Sequence, residues 1–167
     1  VAGLAGLEHE VEPALRITDR EAGVEREVDV PIARLVRGRA QPPDGALRRA
    51  LVTGGSGDLG GAICRRLAAD GAHVIVHANA NLARAQAVVD AIHREGGNAQ
   101  AVAFDVADGD ATRAALEALL ADGPIQLLVN NAGIHADAPL AGMSEAQWRR
   151  VIDVSLHGFF HVTQPLL

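Results

Sequence analysis

Tyrosine and lysine are both absent from the 167 residues, and all 15 basic side chains are arginine. No mechanism that needs a phenol or an alkylamine can be run by these residues. Cysteine occurs once, at Cys64, which excludes an internal disulfide and suits a reducing cytoplasm. Its place in an apolar helical stretch reads as a small core residue rather than a reactive thiol. No apolar run reaches the length of a membrane span, and the opening VAGLAGLEHE lacks the basic and apolar regions of a signal peptide. No membrane and a cytoplasmic location are therefore expected. The formal net charge of −6 has the wrong sign for a nucleic-acid surface. The seven histidines include no pair at metal-ligand spacing with a third ligand, so no metal is expected. His157 and His161 stand four apart, but on a helix they read as a solvated or partly buried pair.

What is present is ample apolar material, 49% of residues against 22% charged, enough for one domain with a core and an appendage. The organising stretch is RALVTGGSGDLGGAICRRLAADG, residues 49–71. Ala50, Leu51 and Val52 form the short apolar run of a buried strand. Thr53 to Gly60 then crowds four glycines into eight positions. Leu59, Ile63 and Leu67 recur every four residues as one face of a helix, which Gly71 stops. Strand, glycine turn and helix together present bare backbone N–H groups to an anion, usually a pyrophosphate. Gly55, Gly57 and Gly60 satisfy G-x-G-x-x-G, a pattern that ordinary tight turns also meet.

Residues 1–46 differ from the rest. Val11, Pro13, Leu15 and Ile17 alternate with polar or small residues, as do Val28, Val30 and Ile32, with a polar turn segment at Asp19–Gly23. The pattern predicts a short hairpin, its prolines confining the strands to edges, followed by an arginine-bearing Pro-Pro-Asp-Gly linker. A hairpin alone buries little, so this extension is expected to belong to a neighbouring domain. Beyond it, strands are expected at His73–Ala78, Ala99–Val106 and Ile125–Val129. Helices are expected over Leu82–Ile92, from Asp108 or Asp110 to Leu120, and from a Ser144–Gln147 capping box to Phe159. Strands joined by helical crossovers run parallel with helices on both faces, the doubly wound α/β class. Four strands are fewer than a finished sheet of this kind has.

With the glycine turn, Asp105-Val106 and Asn130-Asn131-Ala132-Gly133 in this order and spacing, the chain resembles the short-chain dehydrogenase/reductases, and within them the 3-oxoacyl-acyl-carrier-protein reductases. The resemblance covers residues 47–167 and implies the amino-terminal, cofactor-binding half of a Rossmann-like reductase domain, incomplete in this chain. It implies that Gly54, Gly55, Ser56, Gly57, Leu59 and Gly60 line a pyrophosphate. Asn79 would lie near the adenosine ribose, and Asp105 would accept from the adenine amino group while Val106 packs on the ring. Asn131 and Gly133 would border the nicotinamide-side ribose. All these positions lie at carboxyl ends of strands, where open α/β sheets bind ligands. An Asn-Ala-Gly turn and a helix-capping aspartate also need no ligand, and for Asp105 the two readings stand level.

Three departures from the family pattern stand out. The family's T-G-x-x-x-G-x-G would place a glycine at Asp58, whereas here it has moved back to Gly57. The asparagine common in the last long helix is replaced in Val154-Ser155-Leu156, which puts Ser155 at the proton-relay position. The serine and the Y-x-x-x-K pair that perform the family's chemistry are expected beyond Leu167, so residues 1–167 alone are expected to be inactive. The resemblance implies an NADP(H)-dependent ketoreductase acting on a 3-oxoacyl thioester or similar carbonyl, with a small-molecule or acyl-carrier-bound substrate. NAD(H) is disfavoured because residues 77–81 hold no carboxylate, though no arginine stands at Gly57 or Ala80 either. The last helix resembles the family's dimer-forming one, which implies a homo-oligomer when the protein is complete. Two alternatives remain, a ketoreductase module of a multifunctional synthase and a non-catalytic dinucleotide-binding module.

Overall fold

The computed structural model describes residues 16–19, 24–27, 48–136 and 138–167, in a chain that divides into two units, Val1–Arg34 and Leu35–Leu167. In the first, β1 (Arg16–Asp19) pairs antiparallel with β2 (Val24–Glu27), Arg16 opposite Glu27 and Asp19 opposite Val24. The expected hairpin is there, but its second strand precedes the alternating Val28–Ile32 run. Pairing Asp19 with Val24 closes a smaller loop, which costs less chain entropy. The expected strand residues 11–15 and 28–32, Pro13 and Pro31 among them, and the linker up to Leu47 lie outside the described residues.

The second unit is built on a parallel sheet in the order β5-β4-β3-β6. β3 (Arg49–Val52) and β4 (His73–Ala78) are central, and Ala50, Leu51, Val52, Val74, Ile75 and Val76 have no exposed surface. Burial on both faces is why these strands read as unbroken apolar runs rather than alternating ones. β5 (Asn98–Ala103) and β6 (Leu127–Val129) flank them. Both are shorter than their apolar runs. Phe104 N–H still reaches Ala78 O at 3.1 Å, but Asp105 then folds back, its Oδ1 accepting from Ala107 N–H at 3.0 Å, and the strand ends. At β6 the preceding Gln126 is engaged with Arg49, exchanging bonds of 2.7 Å and 3.0 Å. The Arg49 guanidinium also donates to Leu119 O at 2.8 Å and to Gly123 O, a cation set against the carboxyl end of a helix.

Three helices follow the strands, α1 (Asp58–Ala69), α2 (Leu82–Arg94) and α3 (Gly109–Ala121). Asp108, not Asp110, caps α3, its Oδ1 accepting from Asp110 and Ala111 N–H at 3.0 Å each. The buried face of α1 is not the predicted one. Gly60, Gly61, Cys64 and Ala68 face the core, whereas Leu59 is exposed and Ile63 and Leu67 only half-buried. The small residues win because the helix lies too close to the glycine turn and sheet to admit leucine. Burial pushes the Cys64 thiol up to about 12, so it is the inert core residue expected.

The predicted single last helix is interrupted. α4 (Glu145–Ile152) opens on the reciprocal Ser144–Gln147 capping box, widens to a π turn over Asp153–His157, and resumes as α5 (Gly158–Thr163). Val154, Gly158 and Val162 face the core, while Trp148, Leu156 and Phe159 are exposed. A Cβ on Gly158 would stand 2.8 Å from Val106 Cγ2, which shows how closely α5 approaches the turn after β5. No helix among the described residues is long and apolar enough to cross a membrane.

Candidate functional site

β3 is the strand from which the chain departs to β4 on one side and later returns at β6 on the other. The crevice of an open α/β sheet lies at such a reversal, at the carboxyl ends of the two strands. β3 delivers Thr53 and the glycine turn there, and β6 delivers Asn130 to Gly133. Thr53, 2% exposed, ties them together. Its hydroxyl accepts from the N–H groups of Asn131 and Ala132 at 3.0 Å each and donates to Val129 O at 3.3 Å. Asn131 answers through Nδ2, which donates to Thr53 O at 3.0 Å and Gly54 O at 3.2 Å. Asn131 therefore braces the glycine turn from the neighbouring strand.

Gly54 sits at φ +65°, where a side chain is strained. At Gly55 the limit is space, since a Cβ would stand 3.0 Å from both Cys64 Sγ and Val52 O. Within the turn almost every amide is already satisfied. Gly54 N–H donates to His77 Nδ1 at 3.0 Å, Gly55 N–H to Val52 O at 3.2 Å, Ser56 N–H to His77 O at 3.2 Å and Gly57 N–H to Gly54 O at 3.1 Å. Gly57 caps α1 without a side-chain bond, and Gly61 is the first residue of the helix to donate inward, to Gly57 O at 2.7 Å. The amides of Asp58, Leu59 and Gly60 find no acceptor among the described residues. Three free donors at the amino end of a twelve-residue helix, with the helix dipole behind them, are an arrangement able to accept an anion.

The remaining expected site residues are spread around the same end of the sheet. Asn79 is exposed just past β4, and Asn81 caps α2, accepting from Arg84 N–H at 3.2 Å. A cavity of about 320 Å³ opens beside Ser56 and Gly57, and Arg65, Arg84 and Asp58 also line it. Sequence reasoning sought an arginine only at positions 57 and 80 and missed both. Arg84, in the first turn of α2, forms no ion pair among the described residues. Asp105 is partly engaged, one oxygen holding Ala107 N–H and the other 3.5 Å from the Arg150 guanidinium. Val106, 4% exposed, lies mostly in the core, with only one edge facing a small cavity. That cavity, about 100 Å³, is also lined by Thr53, Asn130 and Ser155. Ser155 is placed there by the π turn, a widening often found at functional positions. Asn130 Oδ1 is buried without a partner among the described residues, although its Nδ2 donates to Thr163 Oγ1 at 3.0 Å. Gly133 is exposed, with nothing near a Cβ. No cluster of three metal-ligating side chains occurs among the described residues.

His77 was not anticipated. It is 1% exposed, and its Nε2 lies 2.8 Å from Phe104 O. Burial lowers its pKa below the usual histidine range, against the opposing Phe104 carbonyl and Asp105 carboxylate. The imidazole is neutral. In sequence it is one of two histidines in an otherwise apolar strand, and nothing in that pattern links it to the turn.

The short chain dehydrogenase family signature matches residues 48–167. An acetoacetyl-CoA reductase from Cupriavidus necator is 37% identical over 72% of this chain and 49% of its own length. A 3-oxoacyl-acyl-carrier-protein reductase from Staphylococcus aureus is 38% identical over 70% of this chain and 48% of its own. Among solved structures, a gluconate 5-dehydrogenase from Burkholderia cenocepacia, in complex with NADP and tartrate, superposes with a TM-score of 0.67 at 37% identity. It covers 74% of this chain and 48% of the neighbour. The chain thus spans about half the length of the curated relatives it matches.

Proposed function

This chain belongs to the short-chain dehydrogenase family, and from that premise we propose that residues 47–167 are the NADP(H)-binding half of a ketoreductase. The reaction is reduction of a 3-oxoacyl thioester, or a similar carbonyl, to the hydroxy compound. The observation that carries the reading is the trio of unpartnered amides at Asp58, Leu59 and Gly60, the donor set that a pyrophosphate uses at a helix amino terminus. Two relatives named as thioester reductases support the carbonyl class.

When bound, the nicotinamide supplies the hydride. The residues of this chain would bind and orient it. The amides of Asp58, Leu59 and Gly60 would hold the pyrophosphate, with Gly54, Gly55, Ser56 and Gly57 forming the turn beside it. Asn79 would serve the adenosine-ribose side, and Asp105 with the edge of Val106 the adenine. Asn131 and Gly133 would border the other ribose. Ser155 occupies the proton-relay position, open to the cavity it shares with Thr53 and Asn130. With neither tyrosine nor lysine in the chain, protonation of the carbonyl oxygen is assigned to none of these residues. Exposed Trp148, Leu156 and Phe159, spread over α4, the π turn and α5, support a homo-oligomer of the complete protein.

NADP(H) is favoured over NAD(H) on two grounds. No carboxylate lies at residues 77–81 to repel a 2′-phosphate, and Arg65 and Arg84 line the cavity beside Ser56 and Gly57. NADPH and NADH titrated into the chain and followed by fluorescence should give NADPH the tighter binding by about tenfold, or 1.4 kcal/mol. NADH binding as tightly or tighter would contradict the preference.

A further inference from the structure

We propose that His77 is a positioning residue for the dinucleotide site, holding the glycine turn so that the free amides of α1 face the pyrophosphate. The inference rests on the dinucleotide reading above. His77 grips the turn twice, through its carbonyl oxygen, which accepts from Ser56 N–H at 3.2 Å, and through Nδ1, which accepts from Gly54 N–H at 3.0 Å. Because Gly54 N–H is a donor, Nδ1 must be bare. The ring proton then sits on Nε2 and donates to Phe104 O at 2.8 Å. One neutral tautomer satisfies both bonds.

The grip is transmitted through Gly54. Its carbonyl accepts from Gly57 N–H at 3.1 Å and from Asn131 Nδ2 at 3.2 Å, and Gly57 is the residue on which α1 starts. Moving the Gly54 peptide therefore moves the start of the helix and the three donors behind it. The other ring nitrogen reaches the residue before Asp105, so a single buried side chain joins the turn to the expected adenine side of the crevice. The ring also packs on Phe104, centroids 4.2 Å apart, and is too deeply buried to touch a ligand itself.

Two substitutions separate this role from plain core packing. Asparagine at 77 places an amide oxygen near the position of Nδ1 and keeps an acceptor for Gly54, but abandons Phe104. Glutamine reaches Phe104 O with its amide nitrogen and leaves Gly54 N–H unpaired. His77→Asn is expected to bind NADPH within about threefold of wild type, and His77→Gln about tenfold more weakly, the loss one hydrogen bond accounts for. A merely structural histidine gives affinities that fall together with the unfolding midpoints of the two variants, which would overturn the proposal. A second measurement needs no variant. Imidazole nitrogen shifts of the wild-type chain should report the Nε2–H tautomer, and the Nδ1 resonance should move as NADPH is added. An Nδ1–H tautomer, or no movement at saturation, would overturn it equally. Wild-type protein that binds neither NADPH nor NADH brings down the dinucleotide reading and this inference together. Wild-type binding with His77→Asn and His77→Gln both unimpaired brings down this inference alone.

Discussion

Gly60→Ala is expected to be the most damaging single substitution in the turn, unfolding the chain at markedly lower urea and abolishing measurable dinucleotide binding. A Cβ at Gly60 would lie 2.2 Å from Gly54 O and 2.8 Å from Gly54 C, with Asn131 Nδ2 at 2.7 Å. Two of these three atoms are backbone, so no rotamer change relieves the overlap. Either α1 lifts away from the sheet, uncovering Cys64 and Ala68, or Gly54 shifts and gives up its bonds to His77 and Asn131. Overpacking of this kind costs about 3 kcal/mol, a large share of the roughly 5–15 kcal/mol that holds a domain together. The neighbouring Gly61→Ala is the control, since its nearest atoms stand at 3.6 Å. There the better helix propensity of alanine should leave stability unchanged or raised by up to about 1 kcal/mol. Equal urea midpoints for Gly60→Ala and wild type would show that the turn is not packed as described.

Gly57→Ala should do the opposite, keeping the fold and losing the ligand. Its φ is −86°, and the nearest atom to a Cβ is Gly54 O at 3.4 Å, so the chain itself has room. A pyrophosphate bound, as proposed, at the Asp58, Leu59 and Gly60 amides would pass close to that methyl group. Losing one hydrogen bond to a charged group is worth roughly 1.5–3 kcal/mol, a ten- to hundredfold weaker Kd. Removing glycine from the cap costs the fold no more than about 1 kcal/mol. Asp58→Ala should bind as well as wild type or slightly better, because a carboxylate beside phosphate is unfavourable in a crevice where water screens poorly. Both variants are compared by NADPH titration, with circular dichroism as the check on folding. Undiminished binding by Gly57→Ala alongside lost binding by Asp58→Ala would reverse the assignment of the two positions.

The sequence announced the sheet well, because strands buried on both faces leave unbroken apolar runs such as Ala50–Val52 and Val74–Val76. Helix starts were legible where side chains cap them, as at Ser144. Strand ends were not, since β5 stops through an aspartate folding onto its own loop rather than through any loss of apolar character. The face of α1 was misjudged for a physical reason. Periodicity counts large apolar residues, but a helix pressed onto a glycine turn buries its smallest ones, Gly60, Gly61 and Cys64. The π turn at Asp153–His157 leaves no mark on a pattern that continues helically through it. In the site, the glycine motif marked the stretch from Gly54 to Gly60 as a pyrophosphate lining but not which of its amides are free. The structure uses the Gly57 amide internally and moves the free donors onto Asp58, Leu59 and Gly60. Thr53 and His77, which hold the turn in shape, were invisible because their partners are backbone groups far off in sequence, at the ends of neighbouring strands.

The most direct test of the account is an amide chemical-shift map of this chain as NADP⁺ is added. The largest changes are expected on the Asp58, Leu59 and Gly60 amides, with smaller ones at Asn79, Asp105, Asn131 and Gly133, and saturable binding. Saturable shifts confined to other surfaces, or no shift at Asp58 to Gly60 at saturating NADP⁺, would contradict it.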